Sequence, residues 1–125
     1  MNIPVLTTAH KVEAVVLPRQ LVTHGTVADE IVPAADGSKL IIGVTTIIGS
    51  TIGEAADVIR YGLAPVKYGA DITAGQPLTA DAEGRAVPAA AGNFYIGFAE
   101  YAGAEDDLGS VWIAPGQLAA AAAGG

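Results

Sequence analysis

Residues 36–65 read D-G-S-K-L-I-I-G-V-T-T-I-I-G-S-T-I-G-E-A-A-D-V-I-R-Y-G-L-A-P, and the expectation for the whole chain starts from them. Short β-branched runs, Leu40-Ile41-Ile42 with Val44, Ile47-Ile48 and Val58-Ile59, are broken every few residues by Gly43, Gly49, Gly53 and Gly62. Strands and tight turns alternate in this way in a small barrel. The part from Glu54 to Tyr68 could pass for a helix start, with a loose cap at Ser50. Its β-rich Val58-Ile59-Arg60-Tyr61, the interruption at Gly62 and the missing N–H of Pro65 favour a strand.

A fainter copy follows about fifty residues later. Tyr95-Ile96-Gly97-Phe98-Ala99 echoes Ile41-Ile42-Gly43-Val44-Thr45, and Ser110-Val111-Trp112-Ile113-Ala114 echoes Asp57-Val58-Ile59-Arg60-Tyr61. Around these copies the other signals are also of strand and turn. Val12-Glu13-Ala14-Val15-Val16 and Gln20-Leu21-Val22-Thr23 read as strands, and Ile31-Val32-Pro33 as a strand end or edge. Asp36-Gly37 is the strongest short turn signal. Gln76-Pro77-Leu78-Thr79 and Arg85-Ala86-Val87 make a hairpin around Asp81-Ala82-Glu83-Gly84, and Val111-Trp112-Ile113 is the last strand.

The expected fold is therefore all-β, a small barrel-like domain of short strands over residues 10–116. Residues 1–9 are expected as an extended N-terminal arm, because they are Thr-rich, carry Pro4 and show no helical period. Residues 117–125, alanine and glycine with little else, are expected as a flexible tail.

The 125 residues suit one domain with a modest core. The composition is 51% hydrophobic but only 6% aromatic, so small side chains supply the burial and the core is thin. Subunit contacts are the expected supplement. Thirteen acids against six bases give a formal charge of −7, and the bases are scattered singly. Nucleic acid, which demands clustered cations, is not expected as a partner. Zero cysteines exclude disulfides, thiolate metal sites and a cysteine nucleophile. No apolar run approaches the ~18 residues of a membrane span, and the start lacks a secretory pattern, so the expectation is a chain made in the cytoplasm with no membrane partner.

Reactive chemistry is not visible. His10 and His24 have no second ligand at i, i+4 and are expected at the surface. Gly49-Ser50-Thr51-Ile52-Gly53 has glycines but not the order of a nucleophile elbow, and no phosphate loop is present. Glu105-Asp106-Asp107 lacks the alternation of a calcium loop and is expected as a solvated tip. Residues 70–78 are similar to the turn of barrel-sandwich carrier domains, but no lysine sits in the context those domains modify. No cofactor and no metal are expected.

The ordered set of short segments carries a resemblance. Leu17-Pro18-Arg19-Gln20-Leu21-Val22 is followed by Leu40-Ile41-Ile42-Gly43-Val44-Thr45 and by Gly53-Glu54-Ala55-Ala56-Asp57-Val58-Ile59-Arg60-Tyr61-Gly62. Then come Val66-Lys67-Tyr68-Gly69, Ile72-Thr73-Ala74-Gly75-Gln76-Pro77-Leu78-Thr79-Ala80-Asp81, Gly84-Arg85-Ala86-Val87 and Ile96-Gly97-Phe98-Ala99. Over residues 1–116 the chain resembles the capsid cement, or head decoration, proteins of tailed phages.

The resemblance implies a non-enzymatic virion protein on the outer capsid surface that binds the expanded head and holds major capsid protein subunits together. It implies no catalytic residues. It places the capsid contact on Asn2, Ile3, Pro4, Val5, Leu6, Thr7 and Thr8, by strand addition. A homotrimer is expected, with a dimer as the alternative, and Phe94, Ile96, Phe98 and Trp112 are the candidate contacts. Two other readings compete. A carbohydrate-binding or adhesive β-barrel would use Trp112, Tyr95 and Tyr101 as a stacking platform on one face. A small hydrolase would use His24 with Asp29 or Glu30.

Overall fold

The computed structural model describes residues 3–46 and 49–119, and among these the chain is all-β, with no helix. The strands are β1 (Ile3–Val12), β2 (Leu21–His24), β3 (Glu30–Pro33), β4 (Ile41–Thr45), β5 (Ala55–Lys67), β6 (Pro77–Ala80), β7 (Ala86–Pro88), β8 (Phe94–Ala99) and β9 (Leu108–Gln117). They follow the order β1-β3-β2-β4-β5-β9-β8-β6-β7, and a further pairing of β1 with β5 closes the first five into a barrel. The barrel is mixed, because β1 and β3 run parallel while its other neighbours are antiparallel.

β5 belongs to both halves. Ile59 lies opposite Thr7 of β1 and Val44 of β4, whereas Gly62 lies opposite Pro4 of β1 and Ile113 of β9. The strand runs through the two residues that the sequence marks as interruptions. Gly62 takes a φ of 101° there, a conformation open to glycine. Pro65 pairs with Ser110, whose carbonyl accepts from Glu100 on the side away from β5. The Pro65–Ser110 pair thus exchanges no hydrogen bond, and the missing N–H costs the ladder nothing.

Two hydrophobic clusters flank the shared wall. Val12, Val16, Val22, Ile31, Ile42, Ala56 and Val58 form one. The larger contains Leu21, Ile41, Val44, Ile59, Ala64, Val66, Tyr68, Ile96, Val111 and Ile113. All five residues of β4 are buried, and a register shift opposite Val22/Thr23 leaves Ile42 without a cross-strand partner. That extra residue lets Ile41 and Val44 join Leu21 in one cluster while Ile42 joins Val22 in the other.

The internal echo is matched pair for pair. Val44↔Ile59 and Thr45↔Val58 in β4–β5 correspond to Phe98↔Trp112 and Ala99↔Val111 in β8–β9. In each copy the glycine preceding the first pair faces a carbonyl: a Cβ on Gly43 would collide with the oxygen of Ile59, and one on Gly97 with the oxygen of Trp112.

The segment expected as an arm over residues 1–9 is, from Ile3 onward, the first part of a barrel strand. β5 is long enough to supply partners from Leu63 back to Ala55, so pairing continues through Ala9 and His10 to Lys11, with register shifts between Pro4 and Leu6 and between Leu6 and Thr7. Val12-Glu13-Ala14-Val15-Val16 continues as a strand only to Val12, and Val16 then makes a single bridge to Ser50. The hairpin of β6 and β7 stands as read, with Asp81 accepting from the N–H groups of Glu83 and Arg85 at 2.9 Å each. β9 ends at Gln117, Leu118 donates to the Asn93 carbonyl, and residues 120–125 of the expected tail lie outside the described residues.

Tyr68 is the largest fully buried side chain. Its ring occupies the space that a Cβ on Gly103 or Gly109 would need, and its hydroxyl donates to the Tyr101 carbonyl at 2.7 Å. Burial pushes this phenol above its ordinary pKa. The folded state therefore holds the proton more tightly than the unfolded state. Stability is complete below pH ~10 and falls as pH rises through the raised value. Tyr68→Phe is expected to cost about 1 kcal/mol at neutral pH and to flatten the loss between about pH 9 and pH 11. Urea unfolding of both proteins across that range checks it.

Candidate functional site

Among the described residues no three His, Asp or Glu side chains gather in a way that could hold a metal ion. His10 is not a surface side chain: it is 11% exposed, its Nδ1 lies 3.2 Å from Asp29 Oδ1, and its Nε2 is 2.6 Å from Thr8 Oγ1. The parallel pairing of β1 with β3 brings in Asp29, a partner 19 positions away that no local spacing rule could show. His24, at the exposed end of β2, lies opposite Ile31, and Asp29 is already engaged by His10.

Glu105-Asp106-Asp107 is tied down by cations and amides. Arg85 gathers the carboxylates around it: Nε is 2.9 Å from Asp81 and 3.2 Å from Glu83, and Nη1 is 3.1 Å from Asp106 and 3.9 Å from Glu105. Burial opposes the guanidinium charge, but Asp81 and then Glu83 outweigh it and hold the Arg85 pKa above its ordinary value. Asp106 also lies 3.8 Å from Lys67, and Asp107 accepts from the N–H of Ala104. Beside this network, Gln20 accepts from the N–H of Leu17 and donates to the Glu83 carbonyl, both at 2.8 Å. The cleft there joins the two halves of the fold, and Gln20, Glu83, Arg85 and Asp106 on its wall are bonded to one another.

Two outer surfaces are candidates for contact. The first is the free edge of β1, where the expected capsid-contact residues fall. Asn2 lies outside the described residues; Ile3, Pro4, Val5, Leu6, Thr7 and Thr8 are in β1. Val12 donates across to Glu54 on the β5 side, and Glu13 donates to Ile31 on the β3 side. No register shift intervenes between Thr7 and Lys11, so strand alternation turns the backbone groups of Thr8 and His10 toward β5 and those of Thr7 and Ala9 outward. β3 pairs only with Lys11 and Val12. Among the described residues no strand covers the outer edge from Ile3 to Ala9.

The second surface is an apolar row. Leu63, Trp112, Phe98 and Pro77 are successive cross-strand partners on β5, β9, β8 and β6, and direct partners share a face. Trp112 is 54% exposed and the other three are half-buried. Tyr95 packs against Phe98 with ring centroids 5.4 Å apart. Leu6 and Tyr61, partners across β1 and β5, are also exposed, two residues along β5 from Leu63.

Of the expected oligomer contacts, Phe98 and Trp112 lie in this row. Phe94 is half-buried at the start of β8, opposite Gln117. Ile96 is a correction: it is fully buried in the larger cluster. Simple alternation would put Phe94, Ile96 and Phe98 on one face, but the register shift between Tyr95 and Gly97 breaks it. Leu6, Tyr61 and Leu63 were missed, since only the pairing of β5 with its neighbours shows that they adjoin Trp112. Tyr101 is exposed beyond the end of β8, and its carbonyl serves Tyr68.

The profile of the phage cement protein family matches residues 4–115. The crystal structure of the head fiber gp8.5 N base in bacteriophage phi29 has a similar fold. The TM-score is 0.71 at 22% identity, over 90% of this chain and 97% of that one. No curated protein matches significantly.

Trp112 is the only tryptophan in the chain, so its fluorescence reports on the apolar row alone. In dilute protein it is expected to emit as a partly hydrated indole and to be quenched by acrylamide. A blue-shifted, unquenched emission at the lowest concentrations would show the row covered in the free chain.

Proposed function

Because the chain belongs to the phage cement protein family, we propose that it coats the outer surface of the expanded head and there strengthens contacts between major capsid protein subunits. Proteins of this family are non-enzymatic structural components of the phage capsid. The observation that carries the reading is the extent of the match, which runs from within β1 to within β9 and so takes in both halves of the fold. The apolar row and the strand edge support it, since both are open surfaces of the kind macromolecules meet and neither is an enclosed pocket.

The mechanism is additive stapling. A shell under internal pressure fails at its weakest junctions, and a small protein bridging a junction raises the free energy of separating it. Many copies multiply a modest contribution per site. The capsid-facing part is residues Asn2 to Thr8, of which Ile3 to Thr8 lie in β1. Specificity for the expanded head follows if expansion aligns parts of the site contributed by different subunits. Self-association, as a trimer with a dimer as the alternative, uses the row around Phe98 and Trp112. Two copies each carrying a formal charge of −7 approach most readily where no charged side chain intervenes.

Co-sedimentation with expanded and unexpanded heads tests the reading: binding to expanded heads alone is expected. Trp112→Asp puts a carboxylate into the row at a site already 54% exposed, so the fold should hold, with a stability change within about 1 kcal/mol. Light scattering should then show an oligomer for the wild-type protein and a monomer for the variant. A wild-type monomer at high concentration would remove the row as a self-contact. The shared face of Tyr95, Phe98 and Trp112 would also suit stacking on sugar rings, and retention on immobilised polysaccharide with no binding to heads would favour that second reading.

A further inference from the structure

The lysines and arginines are scattered singly along the chain, yet Arg19, Lys67 and Arg85 line one cleft of about 130 Å³ where the two halves of the fold meet. Lys67 ends β5, Arg85 stands just before β7, and the Lys67 N–H donates to the Arg19 carbonyl at 3.2 Å. The three cations are not equally engaged. Arg85 has Asp81, Glu83, Glu105 and Asp106 within 3.9 Å. Lys67 has Asp106 at 3.8 Å with both side chains more than half exposed, a weak pair. Among the described residues the half-buried Arg19 has neither an ion pair nor a side-chain hydrogen bond. We propose that Arg19 is a docking site for the carboxylate of an aspartate or glutamate side chain presented by the capsid protein, an inference that rests on the capsid reading above.

The backbone at Arg19 points the same way. Its φ is 58°, and the other described non-glycine residues with positive φ are Asp29 and Asp106. Aspartate tolerates this region through its short polar side chain, whereas arginine has no such local compensation and glycine would fill the turn without strain. The conformation is imposed from several sides. The Arg19 N–H donates to the Thr46 carbonyl at 3.1 Å, the Gln20 N–H donates to the Thr45 hydroxyl at 2.9 Å, and that hydroxyl donates to the Leu17 carbonyl at 2.6 Å. Strain held in place by its surroundings is characteristic of functional positions, and a turn fixed in this way docks without further ordering of its backbone.

The charges select the occupant. A planar guanidinium fork matches a carboxylate in two parallel hydrogen bonds. The carboxylates gathered around Arg85 repel a dianionic phosphate or a nucleic acid strand more than a single carboxylate. A second copy would bring its own formal charge of −7 to the contact. The capsid protein is favoured by position: Lys67 lies four residues along β5 from Leu63, the partner of Ile3, a span of about 13 Å. A protein met by the start of β1 is therefore within reach of Arg19.

The test uses the full chain and expanded heads that lack it. Arg19→Gly removes the fork and relieves the backbone, so its unfolding midpoint is expected to equal or exceed that of the wild type while binding weakens at least about tenfold. Equal binding by Arg19→Gly overturns the site and leaves the capsid reading intact, whereas wild-type protein that ignores the heads overturns both. Converting the exposed carboxylates of the heads to amides, with a carbodiimide and ammonia, is expected to abolish the difference between wild type and Arg19→Gly. A difference that persists on amidated heads overturns the carboxylate as ligand.

Arginine-selective modification of the wild-type chain by a dicarbonyl reagent, read by peptide mass spectrometry, gives an answer that depends on no variant. Arg19 is expected to react in the free protein and to be protected on heads, with Arg85, enclosed by its carboxylates, slow in both. Reaction of Arg19 on saturated heads as fast as in the free chain overturns the site. A change of oligomeric state in free Arg19→Gly, seen by light scattering, would assign the site to a second copy and overturn the proposal.

Discussion

The backbone ladder of β5 is the constraint on which the rest depends. Its pairs from Ala55 to Leu63 hold β1, its middle meets β4, and its last six residues hold β9. A strand with three partners cannot be shifted without unpairing two others, so its register fixes both halves at once. The details along it serve that continuity: glycine where φ must be positive, and proline where the pair exchanges no hydrogen bond. The two clusters then fill the spaces that this shared wall divides.

Much of this was legible. The all-β class followed from β-branched runs punctuated by glycine, and the β6–β7 hairpin from the Asp81-to-Gly84 turn. The echo between the central stretch and residues 95–114 was legible as strand, loop and strand in each copy; which residues pair was shown only by the structure. In both copies a glycine stands where a carbonyl of the partner strand comes too close for a Cβ, that of Ile59 at Gly43 and that of Trp112 at Gly97. The strand over Glu54 to Tyr68 was legible too, and β5 spans Ala55–Lys67; how Gly62 and Pro65 fit inside it was not. Local rules count glycine and proline as breakers, and only the partner strands reveal that neither breaks the ladder here. The same blindness made residues 1–9 look like an arm, since nothing near them in sequence announces β5.

The surfaces were read less completely than the fold. Trp112 and Phe98 stood out by type, and both lie on the outer row. Leu6, Tyr61 and Leu63 reach the same region only through pairings between distant segments. Ile96 was assigned to the wrong face because a register shift undoes simple alternation. His10 found a carboxylate that sequence spacing could not supply. Each miss traces to long-range pairing or to an irregularity within it.

The arrangement of the terminal strands has a mechanical consequence. β1 and β9 both run antiparallel to β5, hence parallel to each other, and they meet it at overlapping positions, Pro4 and Ile113 both lying opposite Gly62. A load that drew the start of β1 and the end of β9 apart would pull along the strands in opposite senses. Every rung between them and β5 would then be strained together in shear, and none could be peeled open one at a time. Resistance to tearing comes from that geometry alone, without any further contact.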